Sequence, residues 1–216
     1  TTPTFNVIHM TAFEIIAANL LAFVSVWTVV GLLVGSFLNV VIYRLPIMLE
    51  RGWQQDIEHY RQQERERDPA QNQQTTTGEA SRDAFNLVTP RSRCSNCLTQ
   101  ISAIENIPVL SYLVLGGKCR HCKTSISARY PLVELITALI SGVVAWHFFA
   151  SPLAAMAALL LSWCLIALTG IDYDTYLLPD NITLPLIWMG LIANYFELFT
   201  TLDNALWGAI GGYLIL

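Results

Sequence analysis

The chain has 216 residues, of which 54% are hydrophobic and only 13% are charged. Soluble domains are about 25% charged, so the composition excludes an ordinary water-soluble protein and predicts an integral membrane protein. The formal net charge of −4 also gives no reason to expect a nucleic-acid partner.

Five stretches of the chain are apolar and nearly free of charge. They are residues 15–43, 132–150, 153–171, 182–199 and 205–216. A transmembrane helix needs about 20 such residues, and the first four stretches are long enough. The fifth would reach only about 18 Å at a rise of about 1.5 Å per residue, so we expect its helix and at least one more loop to continue beyond residue 216. The expected fold class is a mainly α, polytopic helical membrane protein.

The basic residues predict the orientation of these spans. All twelve Lys and Arg residues lie between Arg44 and Arg129, and cytoplasmic loops are enriched in these residues near the ends of spans. The segment 44–131 is therefore assigned to the cytoplasm, and the amino terminus to the outside. Nine acidic residues share this segment, so it predicts neither a nucleic-acid site nor a patch for anionic lipid.

The amino-terminal part is predicted to hold a short external lead, residues 1–11, and a first transmembrane helix, residues 12–43. Gly31 and Gly35 are four residues apart, which indicates close packing against another helix in lipid. Asn39 carries an amide inside the span, so we expect it to find a hydrogen-bond partner there.

The first span is expected to end by Pro46, where the pattern changes, and a separate soluble amphipathic helix is predicted over residues 49–67. The apolar residues of that helix recur at intervals of three and four among polar ones. They are Trp53, Ile57 and Tyr60. The polar stretch 71–81 predicts a loop, and the wider insert 50–84 has no assigned role.

Two CxxC pairs lie in the segment assigned to the cytoplasm: Cys94, Cys97, Cys119 and Cys122. The C-x2-C…C-x2-C spacing predicts a structural zinc site, because each pair can offer two thiolates to one tetrahedral ion. A redox dithiol and unliganded thiols are the alternatives, and a disulfide is disfavoured in the cytosol. His121 could replace a cysteine but is more simply an exposed loop residue, and Cys164 is expected to be a buried thiol. No internal repeat stands out.

Residues 132–216 are predicted to form a membrane-embedded core. Ser151-Pro152 indicates a tight external turn between the second and third spans. The third span would return to the cytoplasmic side at Asp172, and Asp180 or Asn181 would cap the fourth.

Three carboxylates lie within nine residues at this boundary: Asp172, Asp174 and Asp180. A charge at bilayer depth costs about 2.5–3.5 kcal/mol, so an acid there suggests a functional site. Asp180 is interpreted as a helix cap, and Asp174 is expected to be solvated. Asp172 directly follows the apolar run, so partial desolvation and proton exchange are expected of it. Aspartic protease chemistry needs a second carboxylate, which we expect beyond Leu216 because Asp174 would point off another side of the helix.

Taken together, these residues resemble the bacterial type IV prepilin peptidase family, which combines a leader peptidase with an N-methyltransferase. The resemblance covers most of residues 31–199. It is carried, besides the two CxxC pairs, by Gly35–Pro46, Glu105–Pro108, Ser111–Leu113, Ser127–Glu134 and Asp172–Asp180.

The resemblance implies a multi-pass aspartic endopeptidase of the bacterial inner membrane. It implies cleavage of the basic leader of type IV prepilins or pseudopilins at the cytoplasmic face, after a glycine, and methylation of the new amino terminus with S-adenosylmethionine. Its partners would be these precursor peptides and membrane lipid. Asp172 would be one member of the catalytic pair. Gly117 matches a glycine in the part of the family associated with methylation, which makes it a candidate cofactor-binding residue.

One part of the family pattern is missing. The second catalytic aspartate of the family belongs to a GxGD motif, whereas Gly208–Gly212 is followed by no acid. Residues 1–216 alone are therefore expected to lack peptidase activity. A zinc-stapled membrane scaffold or docking protein, whose acids only cap the fourth span, is the non-enzymatic alternative. An acid at the inner face in the residues after 216 would distinguish the two.

Overall fold

The computed structural model describes residues 19–67, 85–94, 96–101 and 109–215. These residues hold six helices and no strand beyond two isolated bridges. The helices are α1 (Leu20–Arg67), α2 (Leu110–Val114), α3 (Arg129–His147), α4 (Pro152–Thr175), α5 (Asp180–Tyr195) and α6 (Leu202–Ile215). The predicted mainly α membrane fold is confirmed. The predicted lead 1–11, the start of the first span and the loop 71–81 lie outside the described residues.

The first helix continues through Pro46, so the predicted break there is wrong. α1 is one helix of 48 residues with Pro46 inside it. A proline removes one hydrogen bond from the ladder and costs about 3 kcal/mol in a helix interior. This cost is offset on both sides, since Val41 and Ile42 are buried in the bundle and residues 48–51 are good helix formers.

The helices α1, α3 and α4 form the core of the bundle, with α1 lying along α3. Glycines on α1 allow α1 and α3 to approach closely. A Cβ added at Gly35 would lie 2.7 Å from Glu134 Cα, and a Cβ added at Gly31 would collide with the side chain of Ser141. The Nε1 of Trp163 on α4 donates to Ser141 Oγ at 2.9 Å. The predicted role of these glycines in close helix packing is confirmed.

Three of the helices are long and apolar enough to cross a membrane, namely α1, α3 and α4. The predicted fourth span is shorter than expected. α5 has 16 residues, about 24 Å against a hydrocarbon core of about 30 Å. Asn194 ends it early, since its amide donates to Gly190 O at 3.0 Å and accepts from Thr200 N at 3.1 Å.

The connections on either side of α4 match the prediction only in part. The turn at Ser151-Pro152 is confirmed, because α3 ends at His147 and α4 begins at Pro152. The predicted side-chain cap of the next helix is wrong. Pro179 is the N-cap residue and no side chain caps the helix, so Asp180 lies inside the first turn, where a negative charge still interacts favourably with the helix dipole.

Candidate functional site

The four predicted cysteine ligands converge on one point. The Sγ atoms of Cys94, Cys97, Cys119 and Cys122 all lie within 4.8 Å of one another. The Cys94–Cys122 and Cys97–Cys119 sulfur distances are 3.7 and 4.0 Å. Tetrahedral zinc with bonds of about 2.3 Å separates its sulfur ligands by about 3.8 Å, so the cluster already has the dimensions of a zinc site.

Each CxxC pair is formed by the same turn, repeated 25 positions later. In the first turn Cys94 N donates to Thr99 O and Leu98 N donates to Cys94 O, and in the second Cys119 N donates to Thr124 O and Lys123 N donates to Cys119 O. Leu98 and Lys123 share a positive φ, 58° and 60°. We call residues 92–101 and 117–126 the two knuckles. They constitute an internal repeat that the sequence analysis missed, because only a few of their residues are identical.

The surroundings of two of the four thiols, Cys97 and Cys122, favour the thiolate that a metal binds. Hydrogen bonds from the side chain and backbone of Thr124 lower the pKa of Cys122 to about 5. The side chain and backbone of Thr99 lower the pKa of Cys97 in the same way. The amide of Asn96 donates to Thr124 Oγ1 at 2.8 Å and so joins the knuckles. His121 is exposed and outside the cluster, and Cys164 is half-buried within α4.

A buried arginine holds the segment that leads into the first knuckle. Arg44 is only 8% exposed, and its guanidinium donates to Asn86 O at 2.9 Å and to Pro90 O at 2.6 Å. It also lies over the ring of Phe85, 5.7 Å from the centroid. The cysteine-bearing segment is therefore fixed to α1 where its apolar stretch ends.

The predicted catalytic residue, Asp172, lies in the last turn of α4 with an exposed side chain. Within the part of the chain that the structure describes, its carboxylate has no hydrogen-bond or ion-pair partner. The desolvation expected of it is therefore not provided by these residues.

Its neighbour Asp174 is exposed, as expected of a solvated side chain, and is also paired with Arg129. Arg129 Nη1 lies 2.7 Å from Asp174 Oδ1, and Arg129 Nη2 donates to Gly170 O at 3.4 Å. Positions 170 and 174 share one face of α4, whereas position 172 is rotated about 200° from position 170. Asp172 therefore projects away from the arginine that occupies Asp174.

These contacts place the carboxylates and the cysteine-bearing segment at the same end of the bundle. Arg129 opens α3 directly after the second knuckle and reaches the last turn of α4. Asn39 on α1 donates to Tyr130 O at 3.0 Å, which confirms that its amide finds a partner. The predicted location of both features at one end of the spans is confirmed.

Gly117, the candidate cofactor residue, has a packing reason to be a glycine. Its φ is +67°, and an added Cβ would lie 2.9 Å from the Tyr112 ring. Tyr112 OH in turn donates to Ile126 O at 3.4 Å.

Sequence reasoning missed the groups that position these sites. Arg44, Arg129 and Glu134 all stood within the matching motifs, but their partners lie far away in sequence. Glu134 is buried in α3, and its Oε2 accepts a 2.7 Å hydrogen bond from Val109 N. A lone charge at the edge of an apolar stretch was the available signal.

The chain matches two family descriptions. Residues 29–148 match "Bacterial Peptidase A24 N-terminal domain" and residues 159–216 match "Type IV leader peptidase family". A relative from Stutzerimonas stutzeri, named "Prepilin leader peptidase/N-methyltransferase", is 54% identical over 207 residues, which are 96% of this chain and 67% of the relative. A relative of the same name from Pseudomonas aeruginosa is 50% identical over the same shares.

A more distant relative of that name, from Neisseria gonorrhoeae, is 48% identical over 86% of this chain and 60% of its own length. The chain thus spans about two thirds of the length of these relatives. No solved structure matches it. Since the two matched regions together cover most of the chain, this protein belongs to the type IV leader peptidase family.

Proposed function

We propose that the protein of which this chain is part is a membrane aspartic endopeptidase that removes the leader of type IV prepilins or pseudopilins. We further propose that it methylates the new amino terminus. The observation that carries the proposal is the state of the two acids at the end of α4, where Arg129 pairs with Asp174 while Asp172 has no partner among the described residues. The names of the relatives support both activities.

In the proposed peptidase reaction Asp172 is one of two carboxylates that share a proton. One acts as base on a water molecule while the other protonates the scissile carbonyl. Asp174 is unsuited to the second role, because its charge is neutralised by Arg129 and it lies on another side of α4. We therefore place the second carboxylate outside residues 1–216.

The proposed site faces the cytoplasm of a bacterial inner membrane. The distribution of basic residues supports this orientation, since the chain has none before Arg44 or after Arg129. A precursor peptide would then approach Asp172 from the same side as the two knuckles.

The four cysteines would hold a structural zinc ion. The donor set and the sulfur distances fit tetrahedral zinc, and four protein ligands leave no open position for a water or a substrate. The ion would supply stability to the two knuckles and no chemistry to the cleavage. Neither knuckle has enough core to fold without such a staple.

S-adenosylmethionine would be the methyl donor of the second activity. A role for Gly117 in binding it is compatible with the sequence pattern. The Tyr112 ring, however, already fills the space beside this glycine.

The test is processing of a prepilin precursor by the full-length protein carrying Asp172→Asn. We expect cleavage to slow by a factor on the order of 10²–10⁴, the usual contribution of a positioned acid or base. Asp180→Asn is the matched control, because Asp180 opens α5 with an exposed side chain, and it should stay close to the unmodified rate. Undiminished cleavage by the Asp172→Asn protein would exclude the proposed role.

A further inference from the structure

The short helix α2 and the second knuckle present exposed aliphatic and basic side chains that have no role in the proposed reactions. We call residues 109–123 the α2 segment. We propose that this segment is a membrane-surface anchor, with aliphatic side chains entering the boundary of the bilayer and basic side chains binding the phosphates of anionic lipid headgroups.

The depth of the α2 segment follows from one buried contact. Val109 N donates to the carboxylate of Glu134 at 2.7 Å, and Glu134 lies five residues into α3. At about 1.5 Å per residue, this is about 7 Å below the start of a helix that is long and apolar enough to cross the membrane. The segment therefore begins beside the first turns of a span and not above them.

Its aliphatic residues point outward at this depth. Leu113 and Val114 are 68% and 77% exposed, although both belong to a helix whose first residue follows the anchored Val109. Two adjacent exposed aliphatic residues are unfavourable in water. At the boundary between headgroups and acyl chains the same residues would be buried in apolar surroundings.

The charge of the surrounding surface selects the partner. Residues 85–94, 96–101 and 109–128 contain no Asp or Glu. Four exposed basic residues within these ranges have no acidic partner in the described chain: Arg91, Arg93, Lys118 and Lys123. Each Lys or Arg near an anionic leaflet contributes about 1 kcal/mol of attraction.

The described acids of the segment 44–131 lie apart from the described part of the cysteine-bearing segment. Of the nine acids between residues 44 and 131, four lie on the described distal half of α1, between Glu50 and Glu64, and none lies in the described part of the cysteine-bearing segment. Among the described residues, these acids and the four basic residues named above lie on different elements. A membrane is favoured over a nucleic acid, because Lys118 follows the exposed Leu113 and Val114 by only five and four positions and the α2 segment begins at the level of a span.

The test measures how accessible Lys118 and Lys123, the two lysines of this chain, are to an amine-acetylating reagent. The full-length protein is reconstituted in nanodiscs of neutral phosphatidylcholine and in nanodiscs containing phosphatidylglycerol, and labelling is read by mass spectrometry. Attraction of about 1 kcal/mol holds each lysine against the anionic headgroups and shields it from the reagent, so we expect labelling to slow about fivefold in the anionic nanodiscs. High salt should reverse it.

A double variant tests the aliphatic half of the anchor. Leu113→Gln with Val114→Gln should return lysine labelling in anionic nanodiscs to the neutral rate. Ile57→Gln is the matched control, since Ile57 is also exposed but lies thirteen residues past Arg44, about 20 Å along α1. Retention of bound metal would show that the knuckles of each variant are folded.

Equal lysine labelling in neutral and anionic nanodiscs would overturn the proposal, and so would protection that survives the double variant. If the double variant loses its metal, the unmodified protein decides the question. In the unmodified protein, the peptide that contains residues 113 and 114 should then cross-link to lipid. The lipid carries a photoreactive group on the acyl chain, near the headgroup. Absence of that adduct would equally contradict the anchor.

Discussion

The cysteine cluster and the end of α4 are both places where reactive side chains gather, but they differ in completeness. Four sulfur atoms lie within 4.8 Å of one another, and their backbone turns are closed by their own hydrogen bonds. At the end of α4 one acid is paired with Arg129 and the other has no partner among the described residues. The four thiols of this chain form a full ligand set for a structural ion. Asp172, by contrast, still lacks the second carboxylate that the proposed reaction needs.

The largest expected effect comes from breaking the complete site. Cys122→Ser should reduce bound zinc in the purified protein from about one equivalent to near zero, because structural zinc contributes apparent binding energies of about 10–16 kcal/mol that depend on the full ligand set. Elemental analysis with thiol titration measures this.

Cys164→Ser provides the control for that measurement. Cys164 lies in α4 away from the cluster, so this variant should keep its metal. A full equivalent of zinc in the Cys122→Ser protein would show that the four thiols are not the ligand set.

A smaller effect is expected from separating the cysteine-bearing segment from α1 while leaving the cluster intact. Arg44→Gln removes a buried guanidinium that donates to Asn86 O and Pro90 O, and hydrogen bonds to charged groups contribute about 1.5–3 kcal/mol each. Amide hydrogen exchange at Asn86 and Thr89 should therefore accelerate by about tenfold or more. Bound zinc should stay unchanged.

Arg51→Gln serves as the comparison for Arg44→Gln. Arg51 is exposed and contacts only the Phe85 ring, 4.3 Å from its centroid, among the interactions described for it. Exchange at Asn86 and Thr89 should change little in this variant. Equal acceleration by both substitutions would mean that Phe85, and not the carbonyl contacts of Arg44, holds the segment.

The smallest expected effect concerns the ion pair beside Asp172. Both side chains of the Arg129–Asp174 pair are partly exposed, so Arg129→Gln should lower the free energy of unfolding by no more than about 1 kcal/mol. It would leave the charge of Asp174 uncompensated next to the proposed catalytic acid. We expect prepilin cleavage to slow about fivefold, the equivalent of roughly 1 kcal/mol in the barrier.

A second substitution separates charge from position at this ion pair. Combining Arg129→Gln with Asp174→Asn removes both charges, and the cleavage rate should recover if charge compensation is the reason for the pair. A double variant that is as slow as Arg129→Gln alone would contradict this explanation and assign Arg129 a purely positional role.

The cysteine cluster could be predicted from sequence because most of its geometry is local. Each CxxC pair is brought together by a turn of about six residues, and only one long-range approach, between the turns, remains for the fold to supply. The same holds for Gly35, whose spacing from Gly31 already indicated a helix contact. Only the partner, Glu134 on α3, had to come from the structure.

The ion pair and the helix ends could not be predicted in the same way. Arg129 and Asp174 are 45 positions apart, so no local pattern links them. From sequence, an acid at the end of a span is as compatible with a solvated side chain as with an ion pair. Pro46 and Asp180 carried strong local signals for a break and a cap. At Pro46 the packing of Val41 and Ile42 overrode the signal, and at Asp180 the helix began one residue earlier than the cap required.

The repeated turn of the two knuckles has a consequence for how this region can change in length. Each knuckle is closed by its own hydrogen bonds, so the spacing of its two cysteines depends on residues within that knuckle. A deletion of one residue inside either CxxC pair would displace a sulfur atom from the cluster. Insertions and deletions in relatives should therefore be absent within the knuckles.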